Sequence, residues 1–599
     1  MTDAAAPPKS VFETLPGLPD PVTVSQLLVQ LAENSHAVIR AQTEKALKGE
    51  PLPYDPMQMA NAWMAFSGAL WMDPGRLMET YVRNLEDWTA LWRTMGERAM
   101  GQTPEPIIEP ARGDRRFSAP AWRDEPVFDY LKQSYLLAAQ QIGDLVQGAD
   151  LDDKTRAQVD FFSRQTINAL SPSNYAMTNP DVVKKTIETG GVNLMTGLSN
   201  LLDDLATNDG LPKRRAPDTF KVGETMATTP GAVVFQNDLF QLIQYAPTTD
   251  EVFKRPLLFV PPLVNKFYLF DLTPKASYLK WLVDQGHTVF VVSWVNPDKS
   301  HADKDLSDYV VSGVLEAIGA VEQATGETGL DLVSYCLGGT LSAMTLAYLA
   351  KTGQSDRVAT ATLIATLVDF KSIGEWAVFT GEGELNAFEK YLDAKGYVEA
   401  GDLSKLFSTV RANDLIWNAV VAHYLLGEEG RASDLLTWFD DGARIPAATL
   451  KQYGRLVLNQ NRLREPGGLE IGGQPLDLSD IKTPVFVVAL KDDHVSAWKD
   501  TYAGRSLFGG ETRFILGGSG HNAGMINPPA ANKHGYWTNA DYPADPEAWL
   551  VAAEQKPGSW WPEWQAWLAT DEKVKPRTPG KGGKLKAIEA APGSYVRAR

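Results

Sequence analysis

The stretch GLDLVSYCLGGT, at residues 329–340, predicts a short buried strand, a sharp turn and the first residues of a helix. Cys336 stands at the tip of the turn. Strand and helix backbones nearly touch at such a turn, so the residues two positions before and after the tip must be small, and Ser334 and Gly338 meet that need. The pattern is that of a nucleophile elbow, and Cys336 is the predicted nucleophile.

The helix after the elbow would assist this thiol in two ways. Its first free N–H groups stabilise the thiolate form of Cys336. The backbone N–H of Leu337 points to the place where an oxyanion would form. The alternative is that Cys336 is a buried structural cysteine, because unpaired cysteines are among the most buried residues. The elbow context favours the nucleophile.

Length and composition limit the possible classes of protein. With 599 residues the chain is too long for one compact core, and its net charge of -17 argues against nucleic acid as a partner. A single cysteine excludes an intrachain disulfide, and seven histidines with one cysteine argue against a zinc or iron–sulfur site. We therefore predict no metal and no bound cofactor.

Targeting signals are not recognisable in this sequence. The N-terminus has no charged segment followed by an apolar run, and no segment reaches about 18 consecutive apolar residues. These observations predict a cytoplasmic protein without a transmembrane segment.

The first part of the chain has a helical pattern. Residues 1–20 read as a flexible lead-in, and amphipathic runs such as residues 24–31 and 81–88 follow. The pattern ends at the basic stretch 213–215. We predict an all-α N-terminal domain over residues 1–215 and a catalytic domain over residues 216–599.

The second part alternates strands with helices. Strands are predicted at residues 232–235, 240–245, 257–260, 288–294, 330–334, 360–364, 484–490 and 513–516, the last of the sheet. A helix at 303–325 lies between two of them. Such alternation is typical of a mostly parallel sheet covered on both faces. With the elbow it predicts an α/β-hydrolase fold.

Two segments of the catalytic domain exceed what this fold needs. Residues 367–483 are far longer than an ordinary crossover and carry aromatic and leucine residues at helical spacing, which predicts an inserted helical cap over the active site. Alternatively, the same aromatic and leucine residues could equally well form the buried face of helices that pack in the protein core. Residues 570–599 form the predicted C-terminal tail, and its basic part at 573–586 is expected to be solvated, or else to approach an anionic ligand.

A base and an acid should follow the nucleophile in the order nucleophile, acid, histidine. The strand at 484–490 runs into Asp492, Asp493 and His494, and the strand at 513–516 runs into a loop of small residues around His521. We predict His521 as the general base and Asp493 as the residue that orients it. Asp492 could replace Asp493, and His494 is the competing base.

The second oxyanion donor is expected in the loop after the strand at 257–260. Pro261 and Pro262 have no N–H group, so the backbone N–H of Val264 is the predicted donor. Because the nucleophile is cysteine, the acyl intermediate would be a thioester. Exchange with an acyl-coenzyme A is then nearly thermoneutral, which favours acyl transfer over hydrolysis where a cap excludes water.

Several motifs in order along the chain resemble the class I polyhydroxyalkanoate synthases. The elbow SYCLGGT at 334–340 is similar to that family's nucleophile box. The other matching segments are SPSN at 171–174, TNP at 178–180, TPG at 229–231, VVFQN at 233–237, PPLVNKFY at 261–268, DDH at 492–494, GH at 520–521, INPP at 526–529 and APGSYV at 591–596. Two departures are Ser334, where the family usually has glycine, and TWFDD at 437–441, which differs from an expected Trp-Asn pair.

The resemblance implies that (R)-3-hydroxyacyl groups pass from coenzyme A to Cys336 and are joined into a polyester, with release of coenzyme A. His521 would deprotonate first the thiol and then the incoming hydroxyl group, and Asp493 would orient it. The resemblance also implies a homodimer, a cap that controls access, a location on cytoplasmic polymer granules, and contact with the growing polyester and the granule surface.

Two other functions stay open from the sequence. One is a cysteine-dependent acyl-coenzyme A thioesterase or hydrolase of the same fold. The other is a granule structural protein that has kept the fold without turnover.

Overall fold

The computed structural model describes residues 58–599 except 112, 208–211, 213–218, 411 and 431. The lead-in at 1–20, the helical run at 24–31 and the domain boundary at 215 lie outside the described residues. The chain divides into two compact units. Of the described residues, the first unit contains those between 58 and 212 together with those of Lys405–Ala432, and the second contains the rest.

The N-terminal part of the first unit is helical. Its helices are α1 Gln58–Met72, α2 Pro74–Ala99, α3 Ala121–Asp124, α4 Pro126–Gly148, α5 Asp153–Ala169, α6 Pro180–Thr189 and α7 Val192–Thr207. Local signals explain their ends. The Asn179 side chain accepts the N–H groups of the first turn of α6, and Gly190 ends that helix at φ 61°.

A segment of the long insertion completes this unit. It contains α12, Ala400–Val410, in part, and the irregular helix α13 at 413–425. A Cβ atom on Gly197 of α7 would lie 1.8 Å from the carbonyl oxygen of Tyr424, so only glycine permits this close approach. The Tyr424 hydroxyl donates to the buried Asp204 at 3.0 Å. The middle of the insertion therefore packs on the last helix of the N-terminal part.

The second unit contains an eleven-stranded sheet. Its strands are β1 Gly231–Gln236, β2 Phe240–Tyr245, β4 Leu257–Val260, β5 Val289–Trp294, β6 Leu330–Tyr335, β7 Val358–Ile364, β12 Val485–Leu490, β13 Thr512–Gly517, β14 Tyr536–Thr538, β15 Glu554–Lys556 and β17 Glu589–Ala590. They lie in the order β15-β14-β13-β12-β7-β6-β4-β5-β2-β1-β17. Strands β5, β4, β6, β7, β12 and β13 run parallel, and their neighbours on both sides are antiparallel.

Six short strands lie outside this sheet: β3 Val252–Phe253, β8 Tyr397–Val398, β9 Ile445–Pro446, β10 Glu470–Ile471, β11 Gln474–Pro475 and β16 Lys573–Val574. The remaining helices of the second unit are α8 Tyr278–Asp284, α9 at 306–325, α10 Leu337–Lys351, α11 Glu382–Lys395, α14 Asp434–Asp440, α15 at 447–459, α16 Trp498–Gly504, α17 His521–Met525, α18 Pro546–Ala552 and α19 Trp561–Leu568. Every side chain of β4, β6 and β12 is buried, as expected for strands covered on both faces.

The predicted α/β-hydrolase fold, preceded by a helical region, is confirmed, and each predicted strand has its counterpart within two residues. The prediction that 513–516 is the last strand is wrong, because β14, β15 and β17 follow it in the same sheet. These strands have two or three residues each. Alternation of apolar and polar residues has no room to appear in so short a run.

The C-terminal segment follows the surface of the second unit and is anchored at both ends. Residues Lys573–Val574 pair with β3, and the Arg577 guanidinium forms an ion pair with Glu327 at 2.9 Å. Strand β17 then pairs with β1. Most side chains of the basic part at 573–586 are exposed, whereas Val596 near the end is buried.

Candidate active site

Cys336 lies between the central strand β6 and helix α10, with φ 53° and ψ -128°. A positive φ is costly for a residue with a side chain and is concentrated at functional sites. A Cβ atom on Gly338 would lie 2.5 Å from the carbonyl oxygens of both Val260 and Pro261, so strand β4 and helix α10 can meet only at a glycine. The turn therefore presents the thiol at the carboxyl edge of the sheet.

Ser334 fits this turn although its family counterpart is usually glycine. It is fully buried within β6, and its hydroxyl donates to the carbonyl of Thr362 in the neighbouring strand at 3.1 Å. The added polar group thus has a partner and carries no desolvation penalty. Nothing at this position prevents the close approach at the elbow.

The structure brings His521 and Asp493 to the same edge of the sheet as Cys336. His521 begins α17 after β13, and its Nδ1 lies 2.6 Å from Oδ2 of Asp493, which follows β12. The other oxygen of Asp493 accepts the backbone N–H groups of Val495 and Ser496 at 2.7 and 2.9 Å. The carboxylate is therefore fixed in position and holds the imidazole in one orientation.

The imidazole of His521 also lies near enough to Cys336 for the charge of the sulfur to act on it. Burial lowers the pKa of His521, but the charges of Asp493 and Cys336 and the hydrogen bond to Asp493 outweigh burial and raise this pKa from 6.5 to about 10. An imidazole that holds its proton so firmly is suited to pair with a thiolate. The imidazole of His521 is thus bonded to the Asp493 carboxylate and lies within electrostatic reach of the Cys336 sulfur.

We expect protonated His521 to stabilise the fold at neutral pH and to lose this effect as the pH rises. Its folded pKa of about 10 lies above its ordinary value. The contribution is therefore fully present below about pH 6.5 and is lost as the pH rises through about 10. Thermal unfolding midpoints of the wild-type protein and His521→Gln over this range check the prediction. The wild-type advantage should shrink with rising pH, and parallel profiles would contradict it.

The two competing residues lie elsewhere. Asp492 is exposed, and its backbone N–H donates to the carbonyl of Ser519 at 3.0 Å. His494 is also exposed. Between the two neighbouring carboxylates, it is thus Asp493 that reaches the imidazole.

The two predicted oxyanion donors come from elements on either side of the elbow. Leu337 is the first residue of α10, where an N–H group has no partner within the helix. Val264 lies in the loop after β4, and its carbonyl accepts the N–H of Ala443 at 3.0 Å. This loop starts at the carbonyl groups that face Gly338, next to the nucleophile.

Two tyrosines at this site were missed by sequence reasoning. The Tyr335 hydroxyl donates to the backbone carbonyl of His521 at 3.1 Å, and its ring lies 4.9 Å from the imidazole. Tyr453, on α15 of the insertion, is close enough to Cys336 that burial and the charge of the sulfur both raise the pKa of its phenol. The position of Tyr335 beside the nucleophile was a usable signal, whereas nothing in the sequence distinguishes Tyr453 from other aromatic residues of the insertion.

Two absences among the described residues concern metal ligands and membrane-spanning helices. In that part of the chain, no group of three or more His, Cys, Asp or Glu side chains could hold a metal ion. Among the helices of the same residues, none is long and apolar enough to cross a membrane.

Comparison with known proteins assigns the class and then the family. The model of the alpha/beta hydrolase fold matches residues 273–528. A second model, described as the poly-beta-hydroxybutyrate polymerase (PhaC) N-terminus, matches residues 113–282.

Full-length relatives agree with both models. The poly(3-hydroxyalkanoate) polymerase of Methylorubrum extorquens is 41% identical, covering 98% of this chain and 99% of its own. The PhaC subunits of Rhizobium meliloti (strain 1021) and Cupriavidus necator are 41% and 38% identical, over 88% and 92% of this chain and 86% and 97% of theirs. The chain belongs to the poly(3-hydroxyalkanoate) polymerase family and is an acyltransferase of polyhydroxyalkanoate biosynthesis.

Proposed function

We propose that this protein polymerises (R)-3-hydroxyacyl-coenzyme A into a polyester through a thioester on Cys336, with release of coenzyme A. One observation carries the proposal, namely the bond from Asp493 to His521 beside Cys336, which stands at a strand-to-helix turn. Family membership supports the overall reaction, because the relatives are named poly(3-hydroxyalkanoate) polymerases.

In the first half of the reaction, His521 holds the proton that the thiol of Cys336 has given up. The thiolate attacks the carbonyl carbon of the substrate thioester, and a tetrahedral oxyanion forms. The C–S bond to coenzyme A then breaks, and the leaving thiolate takes the proton from His521. A thioester on Cys336 and free coenzyme A are the products, and because one thioester replaces another the step is nearly thermoneutral.

In the second half, the hydroxyl group of another 3-hydroxyacyl unit attacks the thioester on Cys336. His521 removes the hydroxyl proton as the C–O bond forms, and the C–S bond to Cys336 breaks. An ester is less activated than a thioester, so this half is favourable. Asp493 acts in both halves by stabilising the imidazolium form of His521, to which it is joined at 2.6 Å.

The backbone N–H groups of Leu337 and Val264 stabilise the oxyanion in each half. Donors aimed at the developing charge are typically worth about 10²- to 10³-fold in rate. Their assignment is supported by the position of Leu337 at the start of α10 and of Val264 in the loop after the neighbouring strand β4.

Exclusion of water decides between polymerisation and hydrolysis. A thioester on Cys336 that meets water would give a free hydroxy acid. The buried phenol of Tyr335 and the half-buried ring of Tyr453 support a site that limits water around the half-buried sulfur.

The products formed from (R)-3-hydroxybutyryl-coenzyme A test this function. We expect one molecule of free coenzyme A for each monomer unit of an insoluble polyester. Thiol titration measures the coenzyme A, and chromatography after alcoholysis of the pellet measures the polyester. Free 3-hydroxybutyrate instead of polyester would identify a thioesterase. Absence of coenzyme A release would identify a structural protein, and either result would contradict the proposal.

The family also supports proposals on assembly and location. The protein forms a homodimer, takes up its acyl-coenzyme A substrate without a bound cofactor, and resides in the cytoplasm on the surface of polyester granules, where it contacts the growing chain. Light scattering on the purified protein tests the dimer. Co-sedimentation with amorphous polyester particles tests the association with granules, and a protein that stays in the supernatant would contradict it.

A further inference from the structure

Lys266 is a buried cation in the loop that follows β4. Only 8% of the residue is exposed, and its Nζ lies 2.7 Å from Oδ1 of Asp441. The same ammonium group donates to the backbone carbonyl of Ala598 at 2.9 Å. Lysine is rarely buried unless it is paired, so this position is built around its charge.

The partners of Lys266 come from two distant parts of the second unit. Asp441 belongs to the insertion, and Ala598 is the next-to-last residue of the chain. The other oxygen of Asp441 accepts the hydroxyl of Tyr268 at 2.8 Å, and the Trp438 indole donates to the carbonyl of Lys266 at 2.8 Å. The insertion therefore fixes both the side chain and the backbone of Lys266.

These contacts fix the loop that carries Val264. Its carbonyl receives the N–H of Ala443, and Asn265 forms a bridge with Gly442. At the other end of the loop, the carbonyls of Val260 and Pro261 face Gly338, two residues after Cys336. The loop is therefore held at both of its ends, and Val264 lies between the two anchored positions.

We propose that Lys266 is a positioning residue, whose bonds to Asp441 and Ala598 hold the loop at 261–266 so that the Val264 N–H faces the oxyanion. The inference rests on the proposed function, since it concerns the oxyanion of that reaction. An oxyanion donor must stay within about 0.5 Å of its productive place, and a loop does so only when other groups hold it.

The test compares two reactions of the same sulfur. Acylation of Cys336 by (R)-3-hydroxybutyryl-coenzyme A forms an oxyanion, whereas alkylation by iodoacetamide displaces iodide at a saturated carbon and forms none. Loss of the loop position should therefore slow acylation and leave alkylation unchanged. Both rate constants are measured, the first as the burst of coenzyme A in a rapid-mixing experiment and the second as the loss of titratable thiol.

For Lys266→Met we expect the acylation rate constant to fall about 10- to 100-fold, because the effect resembles the loss of one oxyanion donor. The rate constant for alkylation should stay within about twofold of wild type. Asp441→Asn, which keeps the side-chain size, should show the same split and carries the test if Lys266→Met does not fold. The matched control is Arg357→Met, which removes a partly buried ion pair with Glu322 at the amino end of β7. It should change neither rate.

The outcomes separate the two proposals. If both Lys266→Met and Asp441→Asn are acylated at the wild-type rate, the positioning role alone is overturned. An equal loss in both reactions would also overturn it, since a general disturbance of the site would then account for the effect. A wild-type protein that is not acylated at Cys336 would overturn the proposed function and this inference with it.

Discussion

Cys336→Ala should release no measurable coenzyme A from (R)-3-hydroxybutyryl-coenzyme A. Loss of the nucleophile removes the covalent route, and enzymes of this kind lose at least about 10⁴-fold in turnover when the nucleophile is removed. The fold should stay intact, because alanine keeps the Cβ atom at the same φ of 53° and removes only one sulfur atom. Thiol titration measures the activity, and thermal unfolding measures the stability.

Cys336→Ser tests whether the reaction needs a thioester on residue 336. Its hydroxyl is far harder to ionise than a thiol, and an ester on serine is less activated than a thioester. We expect a small residual activity that yields little or no polyester. Wild-type rates in the alanine variant would remove the nucleophile assignment, and wild-type polymerisation in the serine variant would remove the need for a thioester.

Asp493→Asn should lower acyl transfer by about 10²- to 10⁴-fold, as expected when an orienting carboxylate becomes an amide. The carboxylate holds Nδ1 of His521 at 2.6 Å and its charge helps to raise the pKa of that imidazole. The amide supplies no charge and permits the wrong tautomer. Turnover under saturating substrate measures the loss, and Asp492→Asn is the matched control because that side chain is exposed.

The same variant should change the pH dependence of thiol alkylation. In the wild-type protein the pKa of His521, about 10, keeps a positive charge beside Cys336, and a neighbouring cation promotes alkylation of a thiol. Without Asp493 the pKa of His521 falls, and this support is lost. Alkylation at about pH 6.5 should therefore drop about tenfold or more in Asp493→Asn. An unchanged profile would show that Asp493 does not support the ion pair.

Sequence reasoning recovered much of the fold because the signals involved are local. Strands such as β4 and β12 are continuous apolar runs, and the elbow is defined within seven residues around Cys336. The same reasoning failed at β14, β15 and β17, which have two or three residues each. These segments are strands only because they pair at the edges of the sheet.

For the insertion, the sequence indicated helices but not their neighbours. The sequence predicts one cap over residues 367–483, and the structure assigns Lys405–Ala432 to the helical unit and the flanking parts to the other. Close approach of Gly197 and Tyr424 contributes to this division, and neither residue has a local signature of its partner. Helical periodicity indicates that one face of a helix is buried, but it does not identify the residues that cover this face.

By itself, the sequence determined the strand-turn-helix at Cys336 and predicted the order of candidate nucleophile, acid and histidine, since both depend on residues close in the chain or on chain order alone. Only the tertiary structure chose Asp493 over Asp492, brought Tyr453 towards the sulfur and joined Lys266 to Asp441. The two residues of that last pair are 175 positions apart. Contacts of this kind arise when elements pack, and no pattern along the chain encodes which distant side chain will fill a given place.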